Sequence, residues 1–517
     1  MRRSVAVAAA LIAGCSQHAA QNSAASSASA VAPSALHADA TRLLDAQNRE
    51  VLLRGFNHLA LRSDRTHPAY RVDGALTPDA QLFNLADLDD ADFDAIAATG
   101  LNALRLVITW EFAQPDPPPA PFNESYFRRV DDFIEKARAH GLYVVLDFGQ
   151  FGWSRAIGGN AGAPDWTVSS TCAALPQAPA GTPPQASAAA GCVFEEFWRN
   201  VGGLQDRYTD LWRFVATRYQ NAPAVAVYDL FNEPYGGPFP PGVFEAAFLY
   251  PFYRSLAAAI RAVDPVHTVG FQPEVYHSIG VPTPFALPAQ IDNSVYLPHE
   301  YTLAYFTQRA DPAYLPVQDA VTQLYLQVAD TEAGIFGTPW LMGETGWTRS
   351  NVADGVGSPV PVTQPQAPRD FARDFSADAD TLGVGWLWFA YASNDAAYGV
   401  NDDAELLQRL SRPYPRAIAG HVESFSFDPD TRTYSQSSSG RFDADSEIAL
   451  PLAAQYPAGA CIFDDSAALG RVNADGLVQS FASASMLRFD ARRQTLSLRP
   501  LPAILRIAPA DAGCAGA

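Results

Sequence analysis

The sequence predicts an α/β chain: a (β/α)8 TIM barrel over residues 41–412, then an antiparallel β-sandwich over 413–517. Three observations lead to this. Eight short apolar runs alternate with longer stretches whose apolar residues recur at helical spacing. Each run ends on polar or aromatic side chains, as barrel strands do where they open into a cleft. Beyond about residue 420, long helical periodicity gives way to short β-prone runs separated by turn residues.

The chain has 517 residues, 48% hydrophobic and 17% charged, which is globular composition. Its net charge is −20, and Lys136 is the one lysine among 35 basic residues. Such a balance repels phosphate backbones, so no nucleic-acid partner is expected. The first residues, MRRSVAVAAALIAGCSQ, read as a signal segment over 1–15, because the apolar run is too short to span a membrane. Leu11-Ile12-Ala13-Gly14-Cys15 resembles the lipobox of bacterial lipoproteins, which implies Cys15 as a lipid anchor; ordinary secretory cleavage nearby is the alternative. Residues 16–40, rich in Ala, Ser and Gln, read as a flexible tether. The expected location is therefore the cell envelope or the exterior.

The eight runs are VLLRGFNH (51–58), NALRLVITW (102–110), YVVLDFGQ (143–150), VAVYDLFNE (225–233), TVGFQPE (268–274), SVYLPHEY (294–301), PWLMGETGW (339–347) and VGWLWFAY (384–391). Between them, ESYFRRVDDFIEKARAHG, FEAAFLYPFYRSLAAAIRAVD and AYLPVQDAVTQLYLQVADTEAG carry helical spacing. An open doubly wound sheet is the competing architecture, but no Gly-rich phosphate loop follows any run. Cys172 and Cys192 bracket a Pro- and Ala-rich insertion that a disulfide would staple, and Cys461 and Cys514 share the C-terminal segment. Two bridges are the simplest assignment, although four cysteines allow three pairings and reduced thiols are possible. In the C-terminal segment, hairpins are expected about Asp428-Pro429-Asp430 and about Arg492-Arg493. That segment reads as a structural cap, with a carbohydrate- or lipid-contacting module as the functional alternative.

Two glutamates stand out among the strand ends, Glu233 after the fourth run and Glu344 on the seventh. Acetal hydrolysis needs one carboxyl group to protonate the leaving oxygen and another to attack or support the anomeric carbon. Asn232 is placed to hold a sugar hydroxyl, Arg105 to keep a carboxylate ionised, and Tyr301 to donate to it. His58, Asp147, Gln150, Gln272, His299 and Trp388 complete the polar and aromatic ring as candidate substrate contacts. His299-Glu300 lacks the second histidine of a metal-binding helix, so neither metal nor cofactor is expected, and Ser154 and Ser393 lack a nucleophile-elbow context.

Phe231-Asn232-Glu233-Pro234, Leu104-Arg105-Leu106, His299-Glu300-Tyr301 and Gly343-Glu344, in this order, resemble glycoside hydrolase family five. The resemblance implies a retaining mechanism with Glu233 as acid/base, Glu344 as nucleophile, and Asn232, Arg105, His299 and Tyr301 in support. It also implies Trp388, with Trp386 as its rival, as the aromatic floor of the sugar site. Within the family the chain is most similar to endoglycoceramidases and related glycosylceramidases, through GLQDRYTDLWRFVATRYQNAPAVAVYDLFNEPYGG, GAPDW at 162–166 and RPYPRAIAG at 412–420. The implied substrate is a glycolipid or oligosaccharide, met at a membrane surface by a lipid-anchored monomer. The chain departs from that branch after the third run, where Gly149 and Phe151 replace a polar pair, and at Gln272, where Glu is usual. The alternatives are a β-glucanase or steryl or alkyl β-glucosidase of the same family, and a non-catalytic surface glycan-binding lipoprotein.

Overall fold

A computed structural model of the chain describes residues 33–59, 71–72, 75–76, 88–159, 162–179, 182–283, 290–301, 314, 316–347, 366–392, 399–481, 486–510 and 514. The signal segment, Cys15 and most of the expected tether lie outside these residues, as does Ser393.

All eight apolar runs become barrel strands: Arg54–His58, Ala103–Ile108, Tyr143–Phe148, Val225–Asp229, Thr268–Phe271, Ser294–Tyr296, Leu341–Thr345 and Gly385–Trp388. Every neighbouring pair is parallel, and the eighth strand returns to the first through Trp386 opposite Arg54. The sixth strand breaks at Leu297-Pro298 and resumes as His299–Glu300, which pairs with Glu344 and Thr345. Proline removes a ladder donor at the break, and the Pro298 carbonyl instead accepts from Gly343 N–H at 2.9 Å.

Alternation along the strands sorts side chains into two layers. Leu53, Ala103, Val145, Val227, Val295, Leu297, Leu341 and Leu387 fill the barrel interior. A larger apolar cluster fills the space between strands and helices. Helix Glu124–Ala139 shows the logic of that outer layer: Asn123 caps its start by accepting from Tyr126 N–H, and Phe127, Val130, Phe133, Ile134 and Ala137 form its buried stripe. Helices Tyr250–Arg261 and Pro316–Phe336 cover the fifth and sixth strands, within the stretches read as helical. No described helix is long and apolar enough to cross a membrane.

The insertion between the cysteines is more ordered than its composition implies. Cys172 is bonded to Cys192, and the second cysteine already lies within helix Ala188–Trp198. Cys461 is bonded to Cys514.

The C-terminal segment forms two antiparallel sheets, of seven and six strands. Both expected hairpins are present, His421–Asp428 with Thr433–Ser439 and Met486–Asp490 with Thr495–Arg499. One boundary differs from expectation. Strands His37–Asp39, Arg42–Leu44 and Glu50–Val51 belong to the seven-stranded sheet, where Val51 pairs with Ala417. The tether therefore ends before residue 40, and the run at 51–58 serves two sheets, Val51 in one and Arg54 in the other. Nothing in the hydropathy marks the switch. It is made by long-range bonds, Leu52 N–H to Arg416 O at 3.2 Å and Arg54 N–H to Asn102 Oδ1 at 2.8 Å.

Candidate active site

At the C-terminal ends of the strands the inward side chains change from apolar to charged, and they are organised by one guanidinium. Arg105, fully buried on the second strand, has five N–H donors and five acceptors around them. Nε donates to Asp229 Oδ2 at 2.9 Å, and Nη1 to Asn57 Oδ1 at 3.0 Å and Glu344 Oε1 at 2.5 Å. Nη2 donates to Asn232 Oδ1 at 2.9 Å and pairs with Asp147 Oδ1 at 3.0 Å.

Glu344 projects from the seventh strand with its second oxygen accepting from Tyr301 Oη at 2.9 Å. Burial pushes this carboxyl up, but the His299 ring, the Arg105 guanidinium and the hydrogen bonds from Tyr301 and Arg105 outweigh it and hold it below the ordinary carboxylate range. A Cβ at Gly343, just before it, would stand 3.0 Å from His299 Nε2 and crowd that ring.

Glu233 follows the fourth strand at a sharp turn, with φ +42°, an uncommon conformation for a residue with a side chain. Two glutamines hold that turn. Gln150 Nε2 donates to the carbonyls of Asn232 and Glu233 at 2.7 and 3.1 Å, and Gln272 Oε1 accepts from Glu233 N–H at 2.8 Å. Gln272 also donates to Asp229 Oδ2 at 2.8 Å, so it joins the acid loop to the Arg105 cluster. The buried apolar strand thus ends in Asn-Glu-Pro because it carries the turn that presents the Glu233 carboxyl group beside His299.

His299 stands between the two glutamates, its Nδ1 3.1 Å from Glu233 Oε1 and 3.7 Å from Glu344 Oε2. One oxygen from each glutamate and a nitrogen of His299 all lie within 4.8 Å of one another. Such a triad can in principle converge on a cation. Here, however, both Glu344 oxygens are engaged, one by a guanidinium at 2.5 Å, which repels a second positive charge.

Glu233, Glu344, Arg105, Asn232, His299 and Tyr301 thus come together as the sequence predicts. Asp147, Gln150 and Gln272 lie beneath them and act on the carboxylate framework or on the backbone. Two predicted substrate contacts do not reach the cleft. The His58 ring is fully buried and stacks on Phe133 of helix Glu124–Ala139 at 5.9 Å. Trp388 is fully buried against Phe371 of helix Gln366–Leu382 at 5.7 Å, and Trp386 faces the same helix. Alternation explains both misses: Asn57 and Leu387 are the inward residues, so His58 and Trp388 point out. Phe389, directly after the eighth strand, is half-buried and donates its N–H to Thr345 O at 2.7 Å. Asn57 and Asp229 join the site as well, and the signal for both is a polar residue at the inward parity of an apolar strand.

At the third strand, Gly149 has no room for a side chain, since a Cβ would fall 2.2 Å from Val107 Cγ1. Trp153 is loop packing: fully buried, it donates from Nε1 to Thr167 Oγ1 at 2.9 Å and sits among Trp110, Phe194 and Phe197. Phe151 is half-buried.

Comparison with known proteins gives a consistent picture. Residues 77–395 match the family described as cellulase, glycosyl hydrolase family 5, and residues 412–475 match the glycoside hydrolase family 5 C-terminal domain. Endoglycoceramidase I of Rhodococcus hoagii is 26% identical over 412 residues, covering 76% of this chain and 75% of its own. An endoglycoceramidase of Cyanea nozakii is 24% identical over 438 residues, covering 76% and 78%. Among solved structures, endo-glycoceramidase II from Rhodococcus sp. in its ganglioside GM3 complex superposes with a TM-score of 0.70 at 23% identity, over 91% of this chain and 100% of that one.

Proposed function

The chain belongs to glycoside hydrolase family 5, and from that premise we propose that it is a retaining, endoglycoceramidase-like β-glycosidase that cleaves the bond between a sugar headgroup and a lipid aglycone. The observation that carries the retaining reading is the approach of one oxygen of Glu233 and one of Glu344 to within 4.8 Å. Retaining enzymes hold their carboxyl groups roughly 5–5.5 Å apart, whereas inverting enzymes leave room for a water between them.

Glu344, kept ionised by Arg105, His299 and Tyr301, attacks the anomeric carbon while Glu233 gives its proton to the glycosidic oxygen. The lipid alcohol departs and a glycosyl ester on Glu344 remains. Glu233, now ionised, takes a proton from water, and the resulting attack at the same carbon releases the sugar with its configuration retained and restores both carboxyl groups. Asn232 is placed for a sugar hydroxyl, and Phe389 replaces Trp388 as the aromatic floor. A lipid on Cys15 would keep the enzyme at the interface where an amphiphilic substrate collects.

The test is mass-spectrometric product analysis with glucosyl-, galactosyl- and oligoglycosyl-ceramides beside soluble β-glucans and steryl glucosides. Intact sugar plus ceramide is the expected result. Cleavage confined to glucans or steryl glucosides would keep the mechanism and remove the substrate, and absence of any turnover would remove both.

A further inference from the structure

Outside the barrel, between the sixth strand and helix Pro316–Phe336, lies a chain of buried polar groups that the proposed mechanism does not use. His277, on the short helix Val275–Ile279, is 2% exposed, and its Nε2 lies 2.7 Å from Glu332 Oε2. Its Nδ1 meets the hydroxyl of Tyr325, and that hydroxyl also meets the main-chain carbonyl of His299. Glu332 is saturated from its other sides, accepting from Tyr296 Oη at 2.7 Å and Thr283 N–H at 2.8 Å. The other ionisable groups facing the chain are Tyr250, Glu300 and Glu233.

Counting protons fixes the arrangement. A carbonyl only accepts, so the single Tyr325 hydrogen goes to His299, and the Tyr325 oxygen must then accept from His277 Nδ1–H. At 2.7 Å from a carboxylate oxygen, Nε2 must carry a hydrogen as well. Burial pushes the Glu332 carboxyl up, but its bond and charge interaction with His277 and its bonds from Tyr296 and Thr283 bring it below the ordinary range, so it is the ionised partner. A neutral imidazole protonated only at Nε2 would draw the Tyr325 hydrogen to itself and release the carbonyl.

We infer that Glu332, His277 and Tyr325 are positioning residues for the reaction: a buried imidazolium–carboxylate pair that, through the Tyr325 hydroxyl, clamps the His299 peptide and so fixes the ring between Glu233 and Glu344. The clamp is placed where it is needed, because the sixth strand is interrupted two residues before His299 and lacks a continuous ladder there. The inference rests on the glycosidase reading only for its kinetic arm.

The experiment compares wild type with Tyr325→Phe and Glu332→Gln, each nearly isosteric. Hydrolysis of an aryl β-glycoside should lose on the order of tenfold to a hundredfold in kcat, with KM little changed and cooperative thermal unfolding retained. Spectra of ring-15N-histidine protein at neutral pH should show both His277 nitrogens protonated in wild type, and one protonated in Glu332→Gln. Wild-type kcat in both folded variants, or a singly protonated His277 ring in wild type, would overturn the clamp. If the wild type hydrolyses no glycoside, the activity reading fails, while the spectra still decide the charge state of the pair.

Discussion

Arg105 and Arg54 are both sealed from solvent and both paired with carboxylates, at opposite ends of the same barrel. At the cleft end, one guanidinium faces the three carboxylates of Asp147, Asp229 and Glu344. At the other end, two guanidinia share one carboxylate: Arg54 and Arg412 lie 2.7 and 2.9 Å from Asp380. The Arg54 charge is further enclosed by the rings of Trp386, Tyr414 and Phe425 at 5.1–5.5 Å. The first cluster has an excess of negative charge beside an open cleft, which suits the positive charge that builds on a sugar ring as its glycosidic bond breaks. The second has the reverse excess at the other end of the strands, where Asp380 and Phe425 border a cavity, and Arg412, donating to Phe427 O at 2.8 Å, fastens the barrel to the C-terminal sheets. A buried ion pair therefore does not mark a site by itself. The sign of the imbalance does, together with its place at the C-terminal ends of the strands.

The largest expected effect breaks the cleft end alone. Glu344→Gln should lower kcat by on the order of 10⁴-fold or more, with a thermal midpoint within a few degrees of wild type; an unfolded variant would place Glu344 among the structural residues instead. Next comes the opposite end, where Asp380→Asn should cost about 3–5 kcal/mol in denaturant unfolding, because Arg54 and Arg412 both lose their counter-charge inside the protein. The kcat of the folded fraction should stay at the wild-type value, and a loss of turnover would erase the contrast between the ends. Gln272→Leu is intermediate. It strands the Glu233 N–H and leaves Asp229 Oδ2 with Arg105 alone, so it should cost about 1–3 kcal/mol and also lower kcat, which would mark the glutamine as part of the cleft's framework.

The smallest effect sharpens the comparison through pH. Burial, partly opposed by the N–H groups of Tyr276 and Gly236, raises the Glu274 carboxyl to about 8, with the charges of Glu245 and Glu233 adding to the rise. Between about 4.5 and about 8 the folded chain keeps a proton that the unfolded chain has released, so this group lowers stability as pH rises through that window. Glu274→Gln removes the penalty. Its advantage in urea midpoint over wild type should grow across the window and level off outside it.

The strands were legible because burial on both faces makes them apolar, and Glu233 and Glu344 were legible because they interrupt that pattern at strand ends. What the linear pattern lacks is the parity of each end. Asn57 and His58 are adjacent polar residues, and only the pleat decides that the first holds Arg105 and the second packs on Phe133. Gln150 and Gln272 resembled substrate contacts because an amide that holds backbone and one that holds a sugar carry the same chemistry.

The seam between the two ends of the chain bears on the order in which the molecule can be made. Glu50 and Val51 pair with Ala417 and Ile418, and Arg49 reaches Glu447, 398 positions away. During synthesis the first hairpin emerges early and waits, with its edge unpaired, until nearly the whole polypeptide has left the ribosome. Completion of the seven-stranded sheet is therefore a late, post-translational event, and the chain stays incompletely closed for as long as it takes to make the intervening residues. A chain stopped at residue 412 should be cut by protease within 37–51 under conditions in which the full-length protein resists.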